Sequence, residues 1–212
     1  MGIHESVANW HWEDGVSFFK RMCLPKNAVF YDLGCGYGEY VVALALSDPS
    51  SIVYAIDNNK KMLKAVEEKI KQYNIINVRL LEADFTKNIG DVSADLVLMY
   101  DVLHGNDLKT KLPLRFKYLE AAKRMLKING ILSVAPFECA NLKDRNGKYK
   151  KYSIDKLTAE IEEIGFKFKE SIDGAIHFGD YHSDYHWKKH NGDMPFSYLE
   201  QAPALNFISC NR

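Results

Sequence analysis

The chain has 212 residues, of which 47% are hydrophobic and 26% charged, enough for the core of one large domain. Its 28 basic and 28 acidic residues give zero net charge, which argues against a protein built around a nucleic-acid backbone. No run approaches the ~20 apolar residues of a membrane span, and the N-terminal residues lack the pattern of a signal peptide, so we expect a cytoplasmic protein.

Helices and strands are predicted to alternate along the chain. A helix is expected over 13–22, after a polar segment that holds two tryptophans. Apolar runs predict strands that begin near residues 28, 51, 78, 94, 131, 166 and 204. The intervening patterns predict helices over 39–47, 59–73, 114–126 and 154–164, with a turn over 127–130 and a C-cap at Gly165. This alternation predicts one α/β domain over residues 1–212, with a doubly wound, Rossmann-like sheet of seven strands and helices on both faces.

A glycine-rich loop follows the first predicted strand. Gly34, Gly36 and Gly38 come after Asp32, and Glu39 begins the next helix. Glycine adopts backbone angles that other residues avoid and lets the main chain lie against a ligand. A dinucleotide fingerprint needs its third glycine one place later, where this chain has Glu39. Two carboxylates around the loop would repel a pyrophosphate, and they favour a ligand that carries positive charge.

Further acids follow the next two strands. Asp57 lies ~20 residues beyond the glycine loop, where an acid accepts both ribose hydroxyls of a nucleoside. Alternatively it caps the following helix, although Asn59 could do so instead, and Asn58 could contact an adenine edge. Asp84 and Phe85 follow the third strand, where a carboxylate can accept from the adenine amino group while an aromatic ring covers the base. The alternative is a loop acid beside a core phenylalanine.

This ordered set of Asp32 with the glycine loop, Asp57 and Asp84 resembles the cofactor motifs of the class I S-adenosylmethionine (SAM)-dependent methyltransferases. The resemblance covers about residues 28 to 135. It implies a mostly parallel sheet whose last strand is antiparallel. It also implies SAM as the methyl donor and S-adenosylhomocysteine (SAH) as the product. No metal is expected, because the residues show no recognised metal-binding pattern. Asp32 and the glycines would hold the methionine end of SAM, and Asp57 would hold the ribose.

Three residues after the fourth strand occupy the place where this family puts groups nearest the transferred methyl. They are Tyr100, which would also contact the cofactor, Asp101 and His104. His104 could take a proton from an acceptor hydroxyl or amine, or it could form a hydrogen bond in a loop without chemistry. Methyl transfer needs mainly in-line placement and a desolvated site, so a dedicated base is not required.

The acceptor is predicted to be a small molecule. The branch of the family that methylates nucleic-acid amino groups carries Asp/Asn-Pro-Pro-Tyr/Phe where this chain has Tyr-Asp-Val-Leu over 100–103. A basic loop over 141–151 is either a solvated surface or a contact for an anionic substrate or RNA. We expect the acceptor pocket to form from an N-terminal helical cap (residues 1–24, with Trp10 and Trp12), from residues 100–104 and from a later insert.

That insert, predicted over 171–203, is rich in aromatic residues and histidines: His177, Tyr181, His182, Tyr185, His186, Trp187 and His190. Three of these histidines, at 182, 186 and 190, would share one face of a helix and could bind Zn²⁺. No acid or thiol completes a recognised pattern, so a packed aromatic lid or a subunit interface is favoured. Asp101 and Glu138 alone are too few for a Mg²⁺ site.

Other functions stay open from the sequence. The chain could be a non-catalytic SAM-binding or partner-binding module, or an RNA or protein methyltransferase. A nicotinamide-dependent oxidoreductase is disfavoured by Asp32 and Glu39. We expect no membrane partner and a monomer or homodimer. The cysteines lie far apart and are expected to be free thiols: Cys23, Cys35, Cys139 and Cys210.

Overall fold

The computed structural model describes residues 5–87, 89, 93–139, 142–148, 152–182 and 196–210. Within these ranges the strands and helices alternate, as the sequence predicts. The helices are α1 Glu5–Trp12, α2 Asp14–Lys20, α3 Glu39–Ser47, α4 Lys60–Gln72, α5 Arg115–Met125, α6 Ile154–Glu163 and α7 Phe178–Tyr181, with a 3₁₀ turn at Phe196–Tyr198. The strands are β1 Val29–Leu33, β2 Ile52–Asp57, β3 Val78–Glu82, β4 Ala94–Tyr100, β5 Leu126–Ala135, β6 Phe166–Ile176 and β7 Gln201–Ser209.

All seven of these strands form one sheet in the order β3-β2-β1-β4-β5-β7-β6. The first five strands are parallel to one another, whereas β7 is antiparallel to both β5 and β6. This confirms the predicted mostly parallel sheet with an antiparallel last strand. The strand order changes direction between β1 and β4, because the chain winds outwards from β1 to β3 and then returns to the other side of β1. In open α/β sheets ligands bind at such a switch point, beyond the carboxyl ends of the strands.

The core lies on both faces of the sheet. In β4, Leu96 and Leu98 face one buried cluster, and Val97 and Met99 face the other. Residues of α1 to α4 pack into the first cluster, and residues of α5 and α6 pack into the second. A strand covered on both sides is apolar at successive positions, which explains the unbroken apolar run of β4.

An additional helical layer covers α3. Val41, Val42 and Leu44 have no exposed surface, since α3 is enclosed between the sheet and the pair α1 and α2. Gly15 makes the close approach possible, because a Cβ there would lie 2.7 Å from the Trp10 ring and 2.8 Å from Ala43. Residues 5–12, which lie within the predicted helical cap but outside the helix predicted over 13–22, form α1.

Two strands differ from their predicted bounds. β5 begins at Leu126, so it includes residues 127–130 that were predicted as a turn. An irregularity opposite Ala94 and Leu96 and a positive φ of 64° at Asn129 accommodate this stretch in the sheet. β6 continues to Ile176, into the predicted insert, because it pairs with β7 along this whole length. The segment that connects β6 to β7 therefore begins at residue 177.

Smaller features agree with the sequence. Gly165 follows α6 with a φ of 102°, the left-handed conformation of a helix C-terminus. The cysteines at 23, 35, 139 and 210 are free thiols. Among the described residues, none of the helices combines the length and apolar character that a membrane crossing requires.

Candidate functional site

The glycine loop connects the carboxyl end of β1 to the start of α3. Gly34, Gly36 and Gly38 all have positive φ, between 51° and 79°. Gly38 precedes α3, and a Cβ there would lie 2.7 Å from a methyl group of Val66 in α4. A Cβ on Gly36, in contrast, would meet no atom within 4 Å. The loop therefore packs tightly against the protein at Gly38 and presents bare backbone to open space at Gly36.

Asp57 is bound to this loop. The backbone N–H of Gly36 donates to Asp57 Oδ2 at 3.0 Å, and the N–H of Asn59 donates to Asp57 Oδ1 at 2.8 Å. The cap of α4 is Asn59, whose side chain accepts from the N–H of Lys61. Asp57 is thus not the helix cap, and its carboxylate lies beside the glycine loop, with lone pairs left for a ligand.

A cleft of about 530 Å³ opens between the ends of β2, β1, β4 and β5. It brings together these predicted site residues: Asp32, Gly34, Gly36, Gly38, Asp57, Asn58, Tyr100 and Asp101. Adjacent strands lie ~4.8 Å apart, so the three steps from β2 to β5 give the cleft a length of ~14 Å. A groove of about 580 Å³ elsewhere, near Phe116 and Arg145, contains none of these residues.

Asp32 is a buried carboxylate at the end of β1 and lines the cleft. It has no ion-pair partner among the residues that the structure describes. Burial, together with the charge of nearby Asp57, raises the pKa of Asp32 to about 7. A cation bound in the cleft would offset both effects, because it favours the charged form of the carboxyl group.

Glu39 differs from Asp32, because its charge is balanced inside the protein. His11 Nε2–H donates to Glu39 Oε2 at 2.7 Å, His182 Nε2–H donates to Oε1 at 2.9 Å, and Lys69 forms an ion pair with Oε1. Burial alone would raise the pKa of Glu39, but Lys69 and the two histidines hold it well below its usual range. The expectation that both acids near the loop face a cationic ligand is therefore wrong for Glu39.

Two tyrosines form the wall of the cleft. The hydroxyl of Tyr40 accepts from the N–H of Ile176 at 2.6 Å and donates to its carbonyl at 2.7 Å. Tyr100 shares a hydrogen bond of 2.7 Å with Ser133. Burial raises the pKa of both tyrosines. Both hydroxyls are thus neutral and engaged, and their rings, 4.6 Å apart between centroids, give the wall an aromatic surface.

Asp101 lies at the opposite end of the cleft from Asp57, in a left-handed conformation with φ 57°. Its Oδ1 is 2.8 Å from Nε2 of His177, a buried imidazole whose Nδ1 is 3.3 Å from Glu200 and 3.5 Å from Asp180. Asp101 and His177 thus form an ion pair through Oδ1 and Nε2. Burial lowers the pKa of His177, but the three carboxylates outweigh it and raise the pKa overall.

Three predicted site residues lie outside the lining of the cleft. The side chain of His104 is 45% exposed. Asp84 is exposed and accepts hydrogen bonds from the backbone and hydroxyl of Thr86. Phe85 packs against Tyr118, with 4.9 Å between ring centroids. The assignments of His104 as a base and of Asp84 and Phe85 to adenine stay predictions.

The N-terminal tryptophans also differ in position. Trp10 is buried behind the cleft wall, 5.5 Å from the Tyr40 ring and 4.8 Å from the Phe178 ring. Trp12 is 52% exposed and packs against Tyr73, away from the cleft. The sequence predicted that both tryptophans contribute to the acceptor pocket, but neither of them lines the cleft.

Several residues at the site were not assigned a role from the sequence. Phe137 and Phe178 line the cleft, and His11, His177 and His182 contact the acids described above. The histidines of the insert are visible in the sequence, but Asp101 and Glu39, which they contact, are distant in the chain. The sequence therefore did not indicate these pairs. His186 and His190 of the predicted metal face lie outside the described residues. Within the described part of the chain, His, Cys, Asp and Glu residues form no group of three or more that could hold a metal ion.

A doubly wound sheet with an acid-lined, glycine-floored cleft at its switch point is the arrangement in which α/β proteins bind ligands. Residues 24–192 match a family model described as a methyltransferase domain. This match covers most of the chain. The chain therefore belongs to this family and is a class I SAM-dependent methyltransferase.

Similar proteins include a carboxy-S-adenosyl-L-methionine synthase of Helicobacter pylori strain P12, 26% identical over 180 residues and 73% of each chain. A demethylmenaquinone methyltransferase of Geobacillus sp. strain WCH70 is 36% identical over 66 residues, 31% of this chain and 28% of the relative. Among solved structures, a SAM-dependent methyltransferase from Aquifex aeolicus superposes with a TM-score of 0.65 at 20% identity, covering 95% of this chain and 93% of that one. At this identity the structural match shows the fold alone.

Proposed function

We propose that the protein transfers the methyl group of SAM to a small-molecule acceptor, with the cofactor held by Asp32, the glycine loop and Asp57. The main support is one contact, the hydrogen bond from the Gly36 N–H to Asp57 Oδ2. It places a carboxylate beside bare backbone at the floor of an open cleft. Asn58, next to Asp57, also lines this end of the cleft.

The chemistry of these residues fits SAM. The buried carboxylate of Asp32 has no cation of its own in the described structure, and SAM carries an ammonium and a sulfonium group. The free lone pairs of Asp57 suit the ribose hydroxyls. The cleft volume of about 530 Å³ is within the usual range of ~300–1,000 Å³ for small-molecule sites. When bound, SAM supplies an electrophilic methyl group; the protein orients it and excludes water.

The end of the cleft opposite Asp57 has a shape that favours a small acceptor. Tyr40, Tyr100, Phe137 and Phe178 enclose it with aromatic surface. One similar protein, the Geobacillus demethylmenaquinone methyltransferase, is named for a small molecule. Of the residues at 100, 101 and 104, we place Tyr100 in the wall and Asp101 as the polar group of the acceptor end; His104 stays a predicted base outside the lining.

Isothermal titration with SAM tests the cofactor site. We expect the wild-type protein to bind SAM and Asp57→Ala to bind it about 100-fold less tightly, since two charge-assisted hydrogen bonds contribute ~3 kcal/mol. Glu67→Ala, which removes an exposed acid of α4, is the matched control and should bind normally. Unchanged affinity in Asp57→Ala would remove the ribose assignment. SAM binding without methyl transfer to a broad panel of acceptors would favour a non-catalytic module.

A further inference from the structure

The two ends of the cleft differ in which carboxylates remain free for a ligand. Asp32 and Asp57 lie at the end formed by β1 and β2, where the proposed function places SAM. Glu39 is neutralised by Lys69, His11 and His182. This leaves Asp101, at the ends of β4 and β5, without a ligand assigned to it.

The surroundings of Asp101 are acidic. Asp180 and Glu200 lie within 3.5 Å of His177, which itself lies 2.8 Å from Asp101. A second imidazole also contacts Asp101, because His104 Nδ1 lies 3.5 Å from Asp101 Oδ1, so three carboxylates face two imidazoles. None of the described residues that line the cleft is a lysine or an arginine.

Two buried polar atoms in this group have no hydrogen-bond partner among the described residues. They are Asp101 Oδ1 and Nδ1 of His177, a side chain that is only 8% exposed. Both atoms nevertheless contact opposite charges, Asp101 Oδ1 with His177 Nε2 at 2.8 Å and His177 Nδ1 with Glu200 at 3.3 Å. The left-handed φ of Asp101 also marks a backbone conformation that is uncommon outside glycine and is enriched at functional sites.

The rest of this end is aromatic. The Phe137 ring stacks on His177 with 5.1 Å between centroids, and Phe178 lies 5.6 Å from Tyr40. Aromatic rings attract cations, and they do so more strongly when water is excluded. A carboxylate among aromatic rings suits an organic ammonium group, and it repels a carboxylate or phosphate.

We propose that the acceptor is an amine, whose nitrogen is bound between Asp101 and the aromatic wall. This inference rests on the proposed function, because it takes the Asp32 and Asp57 end as the SAM site. An amine arrives mostly as its ammonium form, and Asp101 binds that charge. Carboxylic acids and phosphorylated compounds are excluded by the same group.

The reaction then balances as follows. The bound ammonium first loses one proton to solvent, which frees its lone pair. The acceptor nitrogen forms a bond to the methyl carbon while the carbon–sulfur bond breaks, and the electron pair of that bond stays on sulfur as the thioether of SAH. The positive charge passes from sulfur to nitrogen, towards Asp101. Once the amine is neutral, Asp101 stabilises the positive charge that develops on the nitrogen in the transition state. It also stabilises the bound ammonium, which makes the preceding loss of the proton less favourable.

Sinefungin tests whether Asp101 binds a cation next to the transferred methyl. This SAM analogue carries a protonated amine where SAM has its sulfonium methyl, whereas SAH is neutral there. We expect sinefungin to bind about 10-fold more tightly than SAH, and Asp101→Asn to remove the difference while SAH affinity stays the same. Asparagine tolerates the left-handed backbone, so the variant should fold, and Glu67→Gln is the matched loss of an exposed charge. Equal affinities in the wild type, or a preference that survives Asp101→Asn, would overturn the proposal.

A second measurement addresses the acceptor itself. Benzylammonium, benzyl alcohol and benzoate have similar size and different charge, and their binding to the SAH complex can be followed by ligand-observed NMR. Benzylammonium should bind at least about fivefold more tightly than the other two. Equal or tighter binding of benzyl alcohol or benzoate, or no binding of benzylammonium, contradicts an amine acceptor. A chain that binds neither SAM nor SAH would instead contradict the proposed function, so the two failures are distinguishable.

Discussion

Asp32 combines two properties that oppose each other in the absence of ligand. It is almost fully buried, and the charge that adds to its raised pKa belongs to another acid, Asp57. Neither property helps the protein to fold. Both favour a ligand that brings positive charge into the cleft. The residue is thus adapted to binding at the expense of stability.

This leads to a prediction about proton release. With a pKa of about 7, Asp32 is mostly protonated at pH 6 and mostly ionised at pH 8. SAM binds the ionised form, so binding at pH 6 should release about 0.9 proton, and binding at pH 8 about 0.1. Titration calorimetry in buffers of different ionisation enthalpy measures this number. Absence of proton release at pH 6 would contradict the assignment of Asp32 to a cation.

The raised pKa of Asp32 also affects the stability of the folded protein. Because the folded pKa is above the unfolded value of 3.8, the folded state holds more protons than the unfolded state between about pH 4 and pH 7. Stability from this group therefore falls as pH rises through that window. Asp32→Asn should remove this loss of stability with rising pH. The variant should therefore be more stable than the wild type at pH 8, and it should fail to bind SAM.

At the scale of elements, Glu39 connects three helical segments around the glycine loop. It begins α3, and its partners come from α1 (His11), from α4 (Lys69) and from the end of α7 (His182). The ring of His182 also stacks on Tyr37 of the loop, with 3.9 Å between centroids. The N-terminal cap and the segment after β6 are thus joined at one buried carboxylate.

Glu39→Gln should therefore destabilise the protein by about 3–5 kcal/mol, because it leaves Lys69 without its partner at a site that is nearly closed to water. The exposed Glu67–Lys71 pair of α4 is the matched control, and Glu67→Gln should cost less than about 1 kcal/mol. Urea denaturation measures both. A loss for Glu39→Gln no larger than that of the control would contradict the role of the network.

The stability difference between the wild type and Glu39→Gln should depend on pH in one direction. Since the folded pKa of Glu39 lies well below 4.5, its stabilisation is fully present above that value. It is lost as pH falls through the lower, folded pKa. The difference between wild type and Glu39→Gln should thus be largest near neutral pH and shrink in acid.

Another buried ion pair lies on the face of the sheet that α5 and α6 cover. Arg115 of α5 has no exposed surface and pairs with Glu160 of α6 at 2.9 Å. Arg115 also donates to the hydroxyl of Tyr152 at 2.6 Å and to the carbonyl of Lys143, so it fixes the basic loop. One side chain therefore joins α5, α6 and the connection between β5 and α6.

Arg115→Ala should cost about 3–5 kcal/mol, because Glu160 is left as an uncompensated buried charge. Arg145→Ala, which breaks an exposed pair with Glu163 at 3.5 Å, should cost less than about 1 kcal/mol. SAM affinity should be unchanged in Arg145→Ala, since this residue lies outside the cleft. Equal effects of the two variants on the denaturation midpoint would contradict a special role for Arg115.

Local patterns predicted most of the fold but only part of the site. The apolar run of β4, the cap at Asn59 and the glycines of the loop are visible within a few residues of sequence, so the alternation of strands and helices followed from such patterns. The length of β6 depends on pairing with β7, and the pairing of His177 with Asp101 spans 76 positions between residues 101 and 177. No short pattern encodes such contacts. For the same reason the burial of Glu39 among three partners was missed.

The spread of partners around Glu39 also sets a sequence of events during synthesis. His11 precedes Glu39 by 28 positions, whereas His182 follows it by 143. At ~5–20 residues per second, a ribosome needs roughly 7–29 s to make those 143 residues. During that interval the growing polypeptide has the glycine loop but not the imidazole that stacks over it. The cleft beside the glycine loop therefore gains this contact only after residue 182 has been made, and shortened polypeptides that stop before residue 182 lack it.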